Sequence, residues 1–169
     1  MAHWLHRLWR HRWLDEGASQ RALPPDARLR LAERVAASER LHTGQIRICV
    51  EAGLPLSYLR RGAGARERAI AMFGKLRVWD TESNNGVLVY LLLAERAIEI
   101  VADRGLGGPV GAQEWDRIAA DLGTALRAGR YEEGLVRAVD AVTGLLVLHF
   151  PAAPGADHPN ELPDEPVLR

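Results

Sequence analysis

Two short stretches hold oxygen donors close enough together to do joint chemistry: Asp80-Thr81-Glu82-Ser83-Asn84-Asn85-Gly86 and Asp103-Arg104-Gly105. Carboxylate and amide oxygens with no histidine or thiolate nearby suit a hard cation, Ca²⁺ or Mg²⁺, over zinc. Asp80, Glu82, Asn84, Asn85 and Asp103 are the candidate ligands. Arg104, with its planar fork of donors, and Gly105 are the candidate phosphate or anion contacts. An EF-hand is excluded. Counted from Asp80, its sixth position would need glycine and its twelfth glutamate, where this chain has Asn85 and Leu91. The competing reading is a polar turn whose Asn and Asp side chains satisfy their own backbone.

Other motifs fail on spacing or context. Gly105-Leu106-Gly107-Gly108-Pro109-Val110-Gly111 follows a strand pattern and opens a helix. A dinucleotide fingerprint needs a further parallel strand ending in an acid, and here another helix comes next. No nucleotide cofactor is expected. Gly74-Lys75 lies inside a helical pattern and lacks the preceding glycine of a P-loop. Cys49 has Pro55, not a base, six positions on, so it reads as a small core residue. Neither G-x-S-x-G nor H-E-x-x-H occurs. The histidines, at 3, 6, 11, 42, 149 and 158, fall outside the polar stretches.

The elements that would position these groups follow from periodicity. Leu23-Pro24-Pro25-Asp26 suits a helix start, running to about His42 and stopping at Gly44. Gln45–Glu51 alternates, with Ile46, Ile48 and Val50 on one face, which is strand spacing. Ala69, Met72, Phe73 and Leu76 mark a helix, and Val87–Leu93 reads as a strand buried on both faces. A tight turn at Ala94-Glu95-Arg96 makes Ala97–Ala102 an antiparallel partner. Two helices follow, one marked by Trp115, Ile118, Leu122 and Leu126, the other by Leu135, Val139, Val142 and Leu146. The predicted fold is α/β, a small mixed sheet with helices on both faces. Strands one and two are parallel through a right-handed crossover. Loops 80–86 and 103–111 then meet at one end of the sheet.

Composition bounds the rest. The 169 residues suit one domain with a true core, and 22 basic against 22 acidic residues argue against a nucleic-acid binder. One cysteine excludes internal disulfides and cysteine-built zinc sites. No apolar run reaches the ~18–20 residues that span a bilayer. A cytoplasmic protein is expected, peripheral at the inner membrane if its first residues touch lipid. Residues 1–22 form a basic, tryptophan-rich arm, in which Trp4, Leu5, Leu8, Trp9 and Trp13 share a helical side. That face could lie in a membrane interface or pack on protein, and residues 1–17 are expected to be dispensable for folding. From Pro151 onward come five of the nine prolines, so 152–169 reads as an extended tail after a domain at 23–151.

Leu23 to Pro151 resembles the TPM-domain family, named for thylakoid-lumen, photosystem-repair and receptor-modulating members. The resemblance rests on ordered segments: Thr43-Gly44-Gln45-Ile46-Arg47, Val78-Trp79-Asp80-Thr81, Asn84-Asn85-Gly86-Val87-Leu88-Val89-Tyr90-Leu91, Glu99-Ile100-Val101-Ala102-Asp103-Arg104-Gly105 and Ala128-Gly129-Arg130-Tyr131-Glu132-Glu133-Gly134-Leu135. Pro159-Asn160-Glu161-Leu162-Pro163 also looks like the tail of bacterial members. The resemblance implies an α/β sandwich, and it brings two activities: acid phosphatase and binder of Ca²⁺ or other divalent ions. It also hints at a LemA-type membrane protein as partner. Asp103-Arg104 departs from the glycine-and-aromatic version common in the family and adds two charges at this end. Two functions are therefore weighed. One is a non-catalytic interaction module with a divalent-cation site. The other is a metal-dependent phosphomonoesterase, with Asp80 and Asp103 as ligands and Arg104 as clamp, for which no nucleophile is recognisable.

Overall fold

A computed structural model describes His11, residues 16–153 and residues 160–169. The tryptophan face of the arm lies outside the described residues. The arm's end does not: α1 (Glu16–Ala22) packs on the sheet, with Ala18 and Ser19 buried. α2 (Pro25–Glu39) starts on proline, whose missing N–H costs nothing in a first turn. It buries Ala27, Leu31, Val35 and Ser38, spaced by four and three, which is one helical face.

β1 (Ile46–Glu51) and β2 (Val87–Leu92) pair in parallel, Ile46 opposite Val87. Between them run α3 (Leu56–Arg60) and α4 (Ala65–Lys75). A 3-10 turn at Leu93–Glu95 leads into β3 (Ala97–Ala102), antiparallel to β2 with Val87 opposite Ala102. Then come α5 (Ala112–Arg127) and α6 (Tyr131–His149). Apart from the short helix α3, which lies where the spacing of Pro55, Gly62 and Gly64 suggests a loop, these elements are the expected ones, with ends shifted by a few residues where periodicity says least.

The chain's last residues do more than trail. Val167–Leu168 forms β4, parallel to β1, giving the order β3-β2-β1-β4. Leu162 is buried, and its N–H donates to Gln45 Oε1 at 2.9 Å. The prolines that mark 152–169 as extended are compatible with an edge strand, where a missing N–H can face outward.

The sheet divides two cores. Ile46, Ile48, Val50, Val87, Val89 and Ile100 face α2, α5 and α6. Cys49, Leu88, Tyr90 and Val101 face α3, α4 and Leu162. The alternation Ile46-Ile48-Val50 thus points where strand spacing requires. No helix among the described residues is long and apolar enough to cross a membrane.

Candidate functional site

Topology brings loop 80–86 and the 103–105 turn together at the start of β2. Asp103 N–H donates to Gly86 O and Gly105 N–H to Asn84 O, both at 2.9 Å. Gly86 has to be glycine, because a Cβ there would sit 2.0 Å from Val78 O. At Gly105 a Cβ would meet Asn84 O at 2.5 Å and Ser83 O at 2.8 Å, so two loop carbonyls crowd this turn.

The candidate side chains do not share one fate. Asp80 pairs with Arg77 at 2.9 Å, and the Glu82 N–H donates to the Glu161 carboxylate at 3.3 Å. Asn84, held at φ 52°, accepts from Arg104 Nε at 2.9 Å. Asn85 is fully buried and its Nδ2 donates to Thr43 Oγ1 at 3.1 Å. Asp103 Oδ1 accepts from Arg104 N–H at 2.7 Å. That leaves Asn85 Oδ1 and Asp103 Oδ2, both buried and both without a hydrogen-bond partner among the described residues. Among the described residues, no group of three His, Cys, Asp or Glu side chains is arranged to hold a metal. Any cation here would rest on one carboxylate, amide oxygens and loop carbonyls, a donor set that suits Ca²⁺ or Mg²⁺.

The opposite end of the sheet holds polar residues the sequence reading passed over. At the end of β1, Glu51 takes a bidentate contact from Arg68, Nε at 2.8 Å and Nη2 at 2.6 Å. Tyr90 Oη donates to the same carboxylate at 2.7 Å, and all three residues are buried. The Glu51 contact raises the Arg68 pKa, and burial raises that of Tyr90. Beside them His11 Nδ1 accepts from Leu54 N–H at 2.9 Å, which puts the ring proton on Nε2, 3.0 Å from Glu95 Oε1. An open cavity of about 450 Å³ lies over this group, with Gln20 and Pro55 on its rim. One signal was available in the sequence: Arg47, Cys49 and Glu51 alternate with Ile46, Ile48 and Val50, and so share the other face.

Three further groups could suggest catalysis, and each is occupied structurally. Ser38 Oγ lies 2.8 Å from His42 Nε2, but both residues are buried and Ser38 also meets Thr143 Oγ1. Burial pushes His42 down to about 4, against the opposing hydrogen bond to Gly44 O. Burial pushes the Cys49 thiol up to about 12, too high for a nucleophile near neutrality. Glu39 is pushed up to about 8, chiefly by burial, with Asp164 opposite it and its Oε1 accepting from Ile46 N–H at 2.8 Å.

A family model described as the TPM domain matches residues 18–145. The chain belongs to the TPM-domain family. Comparison with curated proteins returns no match. Among solved structures, the TPM domain described here is similar to the BA42 protein of the psychrophilic bacterium Bizionia argentinensis. The identity is 23%, with a TM-score of 0.74 over 86% of this chain and 94% of that one. It is also similar to the N-terminal domain of a protein from P. gingivalis, 21% identical, with a TM-score of 0.60 over 79% of this chain and 85% of that one. At these identities the likeness carries the fold, and the α/β architecture of this TPM domain agrees with it.

Proposed function

We propose that this TPM domain is a non-catalytic interaction module that binds one divalent cation, Ca²⁺ or Mg²⁺, where loop 80–86 meets Asp103. The observation that carries the reading is Asp103 Oδ2, a buried carboxylate oxygen with no partner among the described residues. Leaving such an oxygen unpaired costs more than about 1–3 kcal/mol, and a cation or a cation-bound water would relieve it. Asn85 Oδ1, orphaned in the same way, and the crowded carbonyls of Ser83 and Asn84 supply neutral oxygen nearby. Asp80, by releasing Arg77, and the Glu82 side chain complete the shell together with Asn84, whose Oδ1 would exchange Arg104 for the cation. Arg104 then stands beside the site as a positive charge at the rim.

The phosphatase alternative would use the same cation to polarise a phosphoryl oxygen, with Arg104 and Gly105 receiving the anion. The interaction-module reading is preferred because Cys49 and the Ser38–His42 pair, the two candidate nucleophiles, are sealed in the core.

Thermal melts in millimolar Ca²⁺ or Mg²⁺ test the proposal. A cation at about a hundred times its dissociation constant stabilises by roughly 2.7 kcal/mol, a rise of about 5–10 °C for a chain of this size. Asp103→Asn keeps the cap to Arg104 but should lose most of the shift. Glu114→Gln, at the exposed start of α5, should retain it. No movement with either ion sinks the cation site. Metal-dependent hydrolysis of p-nitrophenyl phosphate that disappears in Asp103→Asn would move the assignment to the phosphatase.

A further inference from the structure

An apolar recess lies at the other end of the sheet from Asp103, between the β2–β3 turn and the last turns of α5. It has a volume of about 600 Å³, within the roughly 300–1,000 Å³ usual for small-molecule sites. Its floor is hydrocarbon: Leu91, Leu93, Ile98 and Leu126. Its polar lining is one-signed. Arg96 and Arg127 line it, Arg127 with its Nη1 beside Gly123, and among the described residues no Asp or Glu does.

Neither arginine makes an ion pair among the described residues. Ten other described arginines do, among them Arg28, Arg30, Arg34, Arg61, Arg68 and Arg137. Arg127 gives one donor, Nη2, to Thr124 Oγ1 at 3.0 Å. Its other donors have no partner among the described residues. Arg96 sits at φ 52°, a left-handed conformation that glycine or asparagine would hold at lower cost. An arginine here bears backbone strain that the turn itself does not require of it.

Space for the ligand depends on Gly123, one turn before Arg127. A Cβ at that position would touch Arg127 Nη1 at 3.3 Å and Ile98 Cδ1 at 3.4 Å, and any longer side chain would grow into the recess. Glycine in mid-helix is unfavourable by about 1 kcal/mol relative to alanine. The helix forgoes that stability and keeps the recess open.

We infer that this recess binds an amphipathic monocarboxylate, a medium-chain fatty-acid anion, with its chain on Leu91, Leu93, Ile98 and Leu126 and its head between Arg96 and Arg127. The planar fork of a guanidinium matches a carboxylate in bidentate fashion, and an apolar floor recognises the methylene chain. A purely polar anion would leave that floor wet. An uncharged alcohol would leave both guanidinium groups without a counter-charge.

Isothermal titration of the full chain with sodium decanoate, below its micelle concentration, tests this directly, with decanol, acetate and decylamine as comparisons. Decanoate should bind at one saturable site, at least tenfold more tightly than decanol, with acetate and decylamine showing no saturation. Arg96→Gln and Arg127→Gln should each weaken decanoate about tenfold, the scale of one charge-assisted hydrogen bond. Gly123→Leu should abolish binding while raising the melting temperature, because it fills the recess and improves the helix. That pairing separates a plugged site from a misfolded protein. The inference is overturned if decanoate does not saturate, if decanol binds as tightly, or if a folded Gly123→Leu binds decanoate unchanged.

Discussion

Replacing Glu39 with glutamine tests whether α2 and the C-terminal segment are clasped by a proton. Burial keeps the Glu39 carboxyl protonated up to about pH 8, and the Asp164 carboxylate facing it adds to the rise. The Ile46 N–H and the Arg47 guanidinium act in the opposite direction without winning. In the unfolded chain the same group titrates near 4.5. The folded state therefore holds a proton that the unfolded state has released. The contribution of Glu39 is complete below about pH 4.5, declines as pH rises, and is gone above about 8. Within that window the slope is about 1.4 kcal/mol per pH unit. From pH 7 to pH 9 the remaining loss is about 1.4 kcal/mol.

Glutamine mimics the protonated acid. Its oxygen can still accept from Ile46 N–H and its NH₂ can donate to Asp164 at any pH. Urea unfolding of both proteins at pH 5, 7 and 9, at fixed ionic strength, reads the difference. The two proteins should be nearly equal at pH 5, and the variant should gain about 1.4 kcal/mol on wild type between pH 7 and 9. Taking the difference cancels groups common to both. His42 is one: held neutral down to about 4, it contributes fully above about pH 6.5, and that contribution fades as pH falls towards 4. Parallel pH curves for the two proteins would refute the argument.

Arg68→Met should cost about 3–5 kcal/mol in urea unfolding, because it leaves the Glu51 carboxylate buried with only Tyr90. Adding Glu51→Met should recover much of that loss, and a double variant no more stable than the single one would contradict it. Gly86→Ala should lose about 3 kcal/mol or more, since its Cβ would meet Val78 O at 2.0 Å; a neutral change in a urea melt would show that loop 78–86 yields freely. Leu162→Ala should cost about 2–3 kcal/mol in the same assay, and no cost would mean that the C-terminal strand contributes little to the second core.

The strands β1, β2 and β3 were legible because a single property places each one. Ile46, Ile48 and Val50 alternate, Val87–Leu92 is apolar on both faces, and a short turn allows only an antiparallel return to Ala97–Ala102. β4 was not, for a physical reason. Two residues, Val167 and Leu168, carry no periodicity, and Pro163 and Pro166 precede them. Their pairing is decided by the open edge of β1 and by groups far away in sequence. Ala52 N–H and Ser19 Oγ both donate to Arg169 O, at 2.7 and 2.9 Å. An edge strand of this kind is written in the residues that receive it.

For the site, backbone topology was readable and side-chain commitment was not. Antiparallel pairing of β2 with β3 is enough to bring Gly86 to Asp103. It does not reveal that Asn84 is taken by Arg104, or that Thr43 draws Asn85 into the core. Those contacts decide which oxygens remain unpaired, and so which of five candidate ligands has a reason to bind a cation. The Arg77–Asp80 pair is the exception, since a spacing of three residues already permits it. At the other end, Glu51 and Tyr90 look unremarkable on their own strands. They become a unit only because the parallel register sets Cys49 beside Tyr90, putting Tyr90 on the face from which Glu51 projects, where Arg68 of α4 closes over both. A charged residue on the buried face of α4, among Ala65, Ala69 and Met72, was the trace that register left in the sequence. A buried guanidinium is costly unless paired, and in strand β1 Glu51 is the one acid that could pair with it.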